Sequence, residues 1–244
     1  MKLSVYPNYR SLSENASDEI IRLVRNRPNA TICLASGDTP RLCYQLMVEK
    51  ATAAKIDFSA ISFVGLDEWV GISPENEGSC YFFLENLVLR HLNFSRPNIH
   101  LFDGLSDDPA RECRKMDEFL HDKGGVDLMI VGVGMNGHIG FNEPGVSFNN
   151  YSHLVELDHM TASVGQKYFK EATILKQGIT LGLKHLSEAT KVLMLANGIK
   201  KALVIKKVLE EEISDQMPAS IVRTHPNSEV MLDEEAASML NSRT

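Results

Sequence analysis

The sequence predicts an α/β protein built on a mainly parallel, doubly wound sheet with helices on both faces. Short apolar runs alternate with amphipathic stretches along the chain, which is typical of strand–helix repeats. Several apolar runs are continuous, as in DLMIVGVG at residues 127–134, and such runs suit strands that are covered on both faces. Polar clusters directly follow three of these runs, at the carboxyl end of the predicted sheet, where ligands bind in such folds.

Each element of this prediction has its own sequence signal. The apolar runs predict seven strands, at residues 3–6, 31–35, 61–66, 99–102, 126–133, 192–196 and 230–232. The amphipathic stretches predict five helices, at residues 12–25, 41–54, 80–92, 110–123 and 200–211. Pro40 fits the start of the second helix, because the first turn does not need its N–H group.

One region breaks the alternation. Residues 142–176 have the weakest regular pattern, and we expect either a loop-rich insertion or a lid over the ligand site, at about residues 145–176. The sequence contains no internal repeat and no low-complexity linker. We therefore expect a single α/β domain over residues 1–244.

Composition excludes several classes of function. The 244 residues carry a formal net charge of −7 without a marked cluster of Lys or Arg, so nucleic acid is not an expected partner. The N-terminus lacks a long apolar run, which excludes a signal peptide or membrane span. The four cysteines form no CxxC pair, so neither a zinc site nor a thioredoxin-like motif is expected, and the chain is predicted to be reduced and cytoplasmic.

The first polar cluster is SGDTP, at residues 36–40. Small residues between a strand and a helix let backbone N–H groups and hydroxyls converge on an anion, so this segment is a candidate phosphate site. It is not a Walker sequence, and it could equally be a tight turn in which Thr39 caps the helix. Asp38 disfavours a purely anionic pocket unless its side chain points away.

The second cluster places two acids, Asp67 and Glu68, directly after an apolar run. A partly desolvated carboxylate at the end of a strand has a raised pKa and suits a general base. The alternative is a pair of surface or helix-capping acids. Because adjacent side chains point in different directions, we expect only one of the two to take part in chemistry.

The third cluster is GVGMNGHIGFNEP, at residues 132–144. Four glycines within nine residues indicate close backbone approach or positive φ. His138 lies in this glycine-rich turn, and Glu143 follows five residues later, where it could orient the imidazole. A lone histidine is more often structural, but this position at the carboxyl end of the sheet favours a catalytic role.

Other kinds of site are not supported by the sequence. The remaining histidines lack metal-ligand spacing, so we predict no catalytic metal. The segment GVGMNG matches the dinucleotide-binding pattern in form only, because no well-placed acid accompanies it. The nucleophile elbow GxSxG is absent from the sequence, which argues against a serine hydrolase of that type.

At these three loops the sequence resembles the glucosamine/galactosamine-6-phosphate deaminase (isomerase) family. The matching segments are LASGDTP, FVGLDEW and VGVGMNGHIGFNEPG, supported by ITLGL at residues 179–183 and HPN at residues 225–227. The likeness covers nearly the whole chain in the same order. The related 6-phosphogluconolactonases share the fold but typically differ after the histidine. NATICLASGDTP, LDEWV, KGGVDL and GITLGL look closest to the galactosamine-6-phosphate branch.

The resemblance implies a role for each matching residue. Asp67 would move a proton between C2 and C1 of the sugar, His138 would open the pyranose ring, and Glu143 would orient His138. The phosphate of the substrate would be held by the segment after the second strand and by two basic residues: Ser36, Gly37, Thr39, Lys201 and Lys167.

Three positions depart from the family pattern. Asn136 stands where many members carry an aspartate near the histidine, and an amide can orient an imidazole but cannot stabilise its cation as a carboxylate does. Asp38 replaces a small residue among the substrate-binding positions, where it would weaken phosphate binding or bond to a sugar hydroxyl or the backbone. Lys167 stands where the best-known members have arginine, and it or Lys201 could be merely solvated.

The implied reaction converts a hexosamine 6-phosphate to a ketohexose 6-phosphate and ammonia, without a metal or an organic cofactor. Two alternatives remain at this point. One is hydrolysis of a sugar-phosphate lactone. The other is a non-catalytic sugar-phosphate sensor, which would normally carry a DNA-binding segment, whereas this sequence begins almost at once with its first predicted strand.

Overall fold

A parallel seven-stranded sheet forms the centre of the protein, whose computed structural model describes residues 1–241. Its strands are β1 (Lys2–Tyr6), β2 (Thr31–Leu34), β3 (Ser62–Gly65), β5 (Ile99–His100), β6 (Leu128–Val131), β9 (Val192–Ala196) and β10 (Ser228–Asp233). The spatial order is β1-β10-β9-β6-β2-β3-β5, and every neighbouring pair is parallel. The predicted fold class is confirmed. The strand order reverses between β2 and β6, because the strands after β2 are added towards one edge of the sheet and those after β6 towards the other. Ligands bind in a crevice at such a reversal.

The helices lie between the strands. They are α1 (Tyr9–Asn26), α2 (Asp38–Ala53), α3 (Cys80–Leu84), α4 (Pro109–Lys123), α5 (His159–Gly165), α6 (Leu183–Glu188) and α7 (Ala202–Glu210). The helix predicted at residues 80–92 is shorter than expected, because a π-helical turn at Glu85–Leu89 replaces its second half. The helix predicted at residues 200–211 begins as a 3₁₀ turn, Ile199–Lys201, and continues as α7.

Local sequence signals explain where the long helices begin and end. The side chain of Asn8 accepts a hydrogen bond from the backbone N–H of Ser11 and caps α1. Asp108 caps α4 in the same way, with Pro109 in its first turn. Gly124 ends α4 at a φ of 80°, a left-handed conformation that glycine adopts without a steric penalty.

The core lies on both faces of the parallel sheet. Along β2, the side chain of Cys33 belongs to one apolar cluster, whereas those of Ile32 and Leu34 belong to the other. Both faces of this strand are therefore buried, as its continuous apolar sequence predicts. Within residues 1–241, no helix combines the length and apolar character needed to cross a bilayer.

A second, three-stranded antiparallel sheet was not predicted. It consists of β4 (Asp67–Trp69), β8 (Gln177–Thr180) and β7 (His153–Glu156), in that spatial order. Residues 142–176, for which a loop-rich insertion or a lid was expected, contain β7 and α5, and the lid stays a prediction. A small apolar cluster packs beside this sheet, and in it the rings of Trp69 and Phe141 meet at a tilted angle of 54° with their centroids 4.5 Å apart.

Candidate active site

The three polar clusters converge on one cleft at the carboxyl end of the parallel sheet. The cleft has a volume of about 1170 Å³, which exceeds the space that a small sugar phosphate needs. The predicted site residues that line it are Ser36, Gly37, Asp38, Thr39, Asp67, Asn136, His138, Lys167 and Lys201. The remaining one, Glu143, is buried behind His138.

The segment after β2 presents the start of a long helix to the cleft. Gly37 precedes α2 with a φ of 122°, a region that favours glycine. No side chain caps α2, so the capping role considered for Thr39 is wrong. The first N–H groups of a helix lack intrahelical partners, and at α2 they lie where an anionic group would be stabilised.

Asp67 is the first residue of β4 and lies beside the end of β3. Its Oδ1 atom is buried and has no hydrogen-bond partner among the described residues. Burial, reinforced by the negative charge of Glu68, raises the pKa of Asp67 to about 7, against a smaller lowering by the Cys80 side chain. A carboxyl group with this pKa exchanges protons readily near neutral pH.

Glu68 faces the protein interior instead of the cleft and is 2% exposed. Its two oxygens accept hydrogen bonds of 2.8–3.0 Å from the backbone N–H groups of Trp69, Cys80 and Tyr81 and from the hydroxyl of Ser79. Burial raises the pKa of Glu68 and these hydrogen bonds oppose that rise. Of the two adjacent acids, Asp67 alone lines the cleft.

Glycine allows the imidazole of His138 to lie against the backbone of its own loop. A Cβ atom at residue 134 would overlap Nε2 of His138, so Gly134 leaves the room for the ring. The Nδ1 atom lies 3.0 Å from Oγ1 of Thr161 and 3.3 Å from Oε2 of Glu143. The other ring nitrogen, Nε2, is therefore the one that these partners leave for the cleft.

Glu143 is held by several donors behind the imidazole. Asn136 donates to its Oε2 at 2.7 Å, and the N–H of Asp158 donates to Oε1 at 3.4 Å. Burial raises the pKa of Glu143, but the hydrogen bond and charge of His138, with smaller contributions from Thr161 and Asn136, lower it below its usual value. Glu143 thus remains a carboxylate that can orient the imidazole.

Asn136 contacts Glu143 rather than the imidazole itself. Besides its bond to Glu143, its Oδ1 atom accepts a hydrogen bond of 3.3 Å from the backbone N–H of His138. Asn136 therefore bonds to the carboxylate and to the backbone of His138, and its effect on the imidazole stays a prediction. Its amide supports the carboxylate of Glu143, which itself lies 3.3 Å from Nδ1 of the imidazole.

Two lysines bring positive charge to the cleft. The Nζ of Lys201 donates to the backbone oxygen of Val133 at 2.6 Å. Burial and then the charge of Lys167 lower the pKa of Lys201 to about 8, with Asp38 acting in the opposite direction. Lys167 itself forms an ion pair of 2.6 Å with Asp38, so the Asp38 side chain is turned towards the other proposed phosphate ligands.

Sequence reasoning missed Thr161 and Cys80, which contact predicted site residues. Thr161 lies in α5, inside the segment with the weakest pattern, and reaches Nδ1 of His138. Cys80 accepts a hydrogen bond of 3.0 Å from Ser36. Neither residue type is distinctive, and the only available signal was the proximity of their segments to the predicted strand ends.

The HPN segment has a structural explanation. The ring of His225 is buried, with Nε2 at 2.8 Å from the oxygen of Ala189 and Nδ1 accepting from the N–H of Asn227 at 3.1 Å. These contacts join the turn before β10 to the end of α6. Across residues 1–241, no group of three or more His, Cys, Asp or Glu side chains is placed to hold a metal ion.

The cleft brings together a carboxyl group with a pKa of about 7, an imidazole–carboxylate pair and the N-terminus of a helix. This arrangement suits proton transfer on a small anionic molecule. The family model for glucosamine-6-phosphate isomerases/6-phosphogluconolactonase matches residues 8–232. The chain belongs to this family, and the resemblance inferred from the three loops is confirmed.

Individual relatives cover the whole chain. The glucosamine-6-phosphate deaminase of Clostridium tetani (strain Massachusetts / E88) is 38% identical over 241 residues, covering 98% of this chain and 100% of the relative. A solved monomeric glucosamine-6-phosphate deaminase is 32% identical with a TM-score of 0.95, covering 98% of this chain and 100% of that one. The 6-phosphogluconolactonase from Trypanosoma cruzi is 17% identical with a TM-score of 0.81, covering 99% and 97%, and shares the fold.

Proposed function

We propose that this protein isomerises and deaminates a hexosamine 6-phosphate, giving a ketohexose 6-phosphate and ammonia. The observation that carries the proposal is the pairing, in one cleft, of Asp67 with a pKa of about 7 and His138 backed by Glu143. Relatives that bear the deaminase name over the full chain support it.

The phosphate group of the substrate binds at the start of α2. The backbone N–H groups after Gly37 and the hydroxyls of Ser36 and Thr39 donate to its oxygens, and Lys201 and Lys167 supply positive charge. Both the helix dipole and the unpaired N–H groups favour an anion there. This anchoring leaves the carbon atoms near C1 and C2 to reach the acid and the imidazole.

His138 opens the pyranose ring. Its Nε2 atom moves a proton between the C1 hydroxyl and the ring oxygen, which breaks the C1–O5 bond and leaves an aldehyde at C1. Glu143 and Thr161 hold the opposite nitrogen at 3.3 and 3.0 Å, so the ring keeps one orientation through the transfer. Glu143 also stabilises the transient imidazolium.

Asp67 then transfers a proton from C2 to C1. The C2 proton is acidic because the aldehyde and the neighbouring ammonium group withdraw electrons. As C2 loses its proton to Asp67, the ammonium group gives one proton to the C1 oxygen, and an enolamine forms. Asp67 returns its proton to C1, the resulting C2 iminium takes up one water molecule, and ammonia leaves. One water is consumed and one ammonia released, with no net oxidation, and the aldehyde accepts the electrons that a cofactor would otherwise take up.

The names of the relatives favour glucosamine 6-phosphate as the substrate. The loop sequences favour the galactosamine branch, and that assignment stays a prediction. A cytoplasmic location and the absence of a nucleic-acid partner also stay predictions. Lactone hydrolysis requires water activation but neither removal of the C2 proton nor loss of nitrogen, so ammonia release separates the two reactions.

The test offers each epimer separately to the purified protein in the presence of EDTA and measures ammonia. Ammonia from either compound, lost in Asp67→Asn and retained in the remote variant Asp122→Asn, is the expected result, and the ratio of kcat/KM values assigns the epimer. If neither compound yields ammonia while 6-phosphogluconolactone is hydrolysed, the deaminase proposal is wrong. Protection from unfolding by both sugar phosphates without any turnover would instead indicate a sensor.

A further inference from the structure

An ion pair closes across the proposed phosphate site. Nζ of Lys167 lies 2.6 Å from Oδ2 of Asp38, although 129 positions separate the two residues in the chain. Asp38 begins α2, at the edge where the phosphate is proposed to bind, and Lys167 belongs to the 3₁₀ turn that follows α5. The pair therefore joins the turn after α5 to the start of α2.

The surroundings make Asp38 the negative member of a small charged cluster. Lys167 and Lys201 line the same cleft, and Arg41 lies 4.0 Å from the other oxygen of Asp38. The Lys167 ammonium also lies 4.8 Å from the centre of the Tyr168 ring. Positive groups thus gather at the start of α2, and the Asp38 carboxylate lies among them.

Asp38 cannot bind phosphate itself at neutral pH, because an ionised carboxylate accepts hydrogen bonds but donates none. A phosphate bound at the start of α2 would be repelled by Asp38 at short range. The side chains of Lys167 and Asp38 are 50% and 59% exposed, and ion pairs of this kind are held weakly. Lys167 can therefore exchange Asp38 for a phosphate oxygen at little cost.

Resting on the proposed function, we propose that Asp38 competes with the substrate phosphate for Lys167 and thereby sets the affinity of the site. In the empty protein the Asp38 carboxylate pairs with Lys167 in place of the phosphate and keeps the ammonium group over the cleft. In the complex Lys167 turns to the phosphate and Asp38 is displaced. The same competition assists departure of the product, which still carries its phosphate.

Inorganic phosphate is the probe, because its binding does not depend on catalysis. Calorimetric titration of the full chain with phosphate should give about three- to tenfold tighter binding to Asp38→Asn than to the wild type, since one repulsive charge is removed. Asp38→Ser serves as a second variant without charge. Asp122→Asn, an equal change of net charge on an exposed part of α4, should bind phosphate as the wild type does.

A double-mutant cycle shows whether the effect passes through Lys167. Lys167→Met should weaken phosphate binding, and adding Asp38→Asn to it should restore clearly less than Asp38→Asn gains in the wild type. Raising the KCl concentration should shrink the gain, because both charges are exposed. Full additivity of the two changes would overturn the competition for Lys167.

Unchanged phosphate affinity in Asp38→Asn and Asp38→Ser would show that the ion pair does not affect phosphate binding and would overturn the proposal. Weaker binding would do so as well, because it would make Asp38 a support that prepares Lys167 for phosphate. Neither result bears on deamination, which is judged by ammonia release. If the wild type releases ammonia, the KM of Asp38→Asn should fall together with its phosphate dissociation constant.

Discussion

Asp67 and Glu143 are both carboxylic acids beside the same cleft, yet their surroundings move their pKa values in opposite directions. Asp67 has a buried oxygen without a partner, and its pKa rises to about 7. Glu143 receives hydrogen bonds and faces an imidazole, and its pKa falls. Burial raises the pKa of both acids, but only Glu143 faces an imidazole whose hydrogen bond and charge help to outweigh that rise.

The largest expected effect comes from removing the acid with the raised pKa. Asp67→Asn should lower kcat/KM about 10²- to 10⁴-fold, because an amide cannot transfer the C2 proton. Phosphate affinity should change little, since the proposed role of Asp67 is at C2 and C1 of the substrate rather than at its phosphate. Steady-state ammonia assays and phosphate titration check both statements, and turnover within tenfold of the wild type would remove Asp67 from the role of base.

The same variant also tests how much the Asp67 carboxylate, with one oxygen buried and unpaired, destabilises the folded protein. Because the pKa of Asp67 is raised on folding, the folded protein binds the proton more tightly than the unfolded chain, and stability falls as pH rises from about 4 to about 7. Above that window Asp67→Asn should therefore unfold at a higher temperature than the wild type. A lower melting temperature at pH 8 would show that the ionised Asp67 does not destabilise the folded protein.

Removing the charge of the well-partnered acid should have a smaller effect on catalysis. Glu143→Gln should reduce kcat/KM about 10- to 100-fold, because the imidazole loses orientation while its own proton transfer remains possible. Unlike Asp67→Asn, it should also lower the melting temperature, since donors that faced a carboxylate would face an amide. An activity loss as large as that of His138→Ala would make Glu143 a reacting group instead of a support.

The pH dependence of the reaction should follow the acid with the raised pKa. Below about pH 7, kcat/KM should fall by about tenfold per unit as Asp67 takes up a proton and ceases to act as a base. The substrate phosphate also titrates, near pH 6, so phosphate binding is measured across the same range to separate the two effects. An acid limb near pH 4 would contradict a raised pKa at Asp67.

The smallest catalytic effect is expected at the neighbouring acid. Glu68→Gln should cost about 1–3 kcal/mol of stability, because its amide group must face four donors in the interior, while kcat/KM stays within a few-fold of the wild type. Chemical denaturation and ammonia assays measure the two quantities. Severe loss of activity in a protein of native stability would show that Glu68 shares the chemistry of Asp67.

The sequence alone predicts the parallel sheet and the convergence of the three loops, because continuous apolar strands and their following polar residues are local signals. It does not predict the antiparallel sheet. That sheet pairs the three residues of β4 with β8, more than a hundred positions away, and short strands carry little periodicity. Glu143 was predicted as a partner of His138, but Thr161 was missed, because it lies in α5, within the segment with the weakest sequence pattern.

The shortness of β4 has a consequence for how the protein selects its base. Asp67 pairs with Thr180 and Glu68 with Ile179. Both directly follow Leu66, whose N–H donates to Leu34 of the parallel sheet and whose oxygen accepts from Leu181, next to β8. Successive strand residues face opposite sides, so a slip of one position in this register would turn Glu68 to the cleft and bury Asp67. The same amino-acid sequence would then present a different acid to the substrate. The alignment of three residues thus selects the reacting group as firmly as the choice of amino acid does.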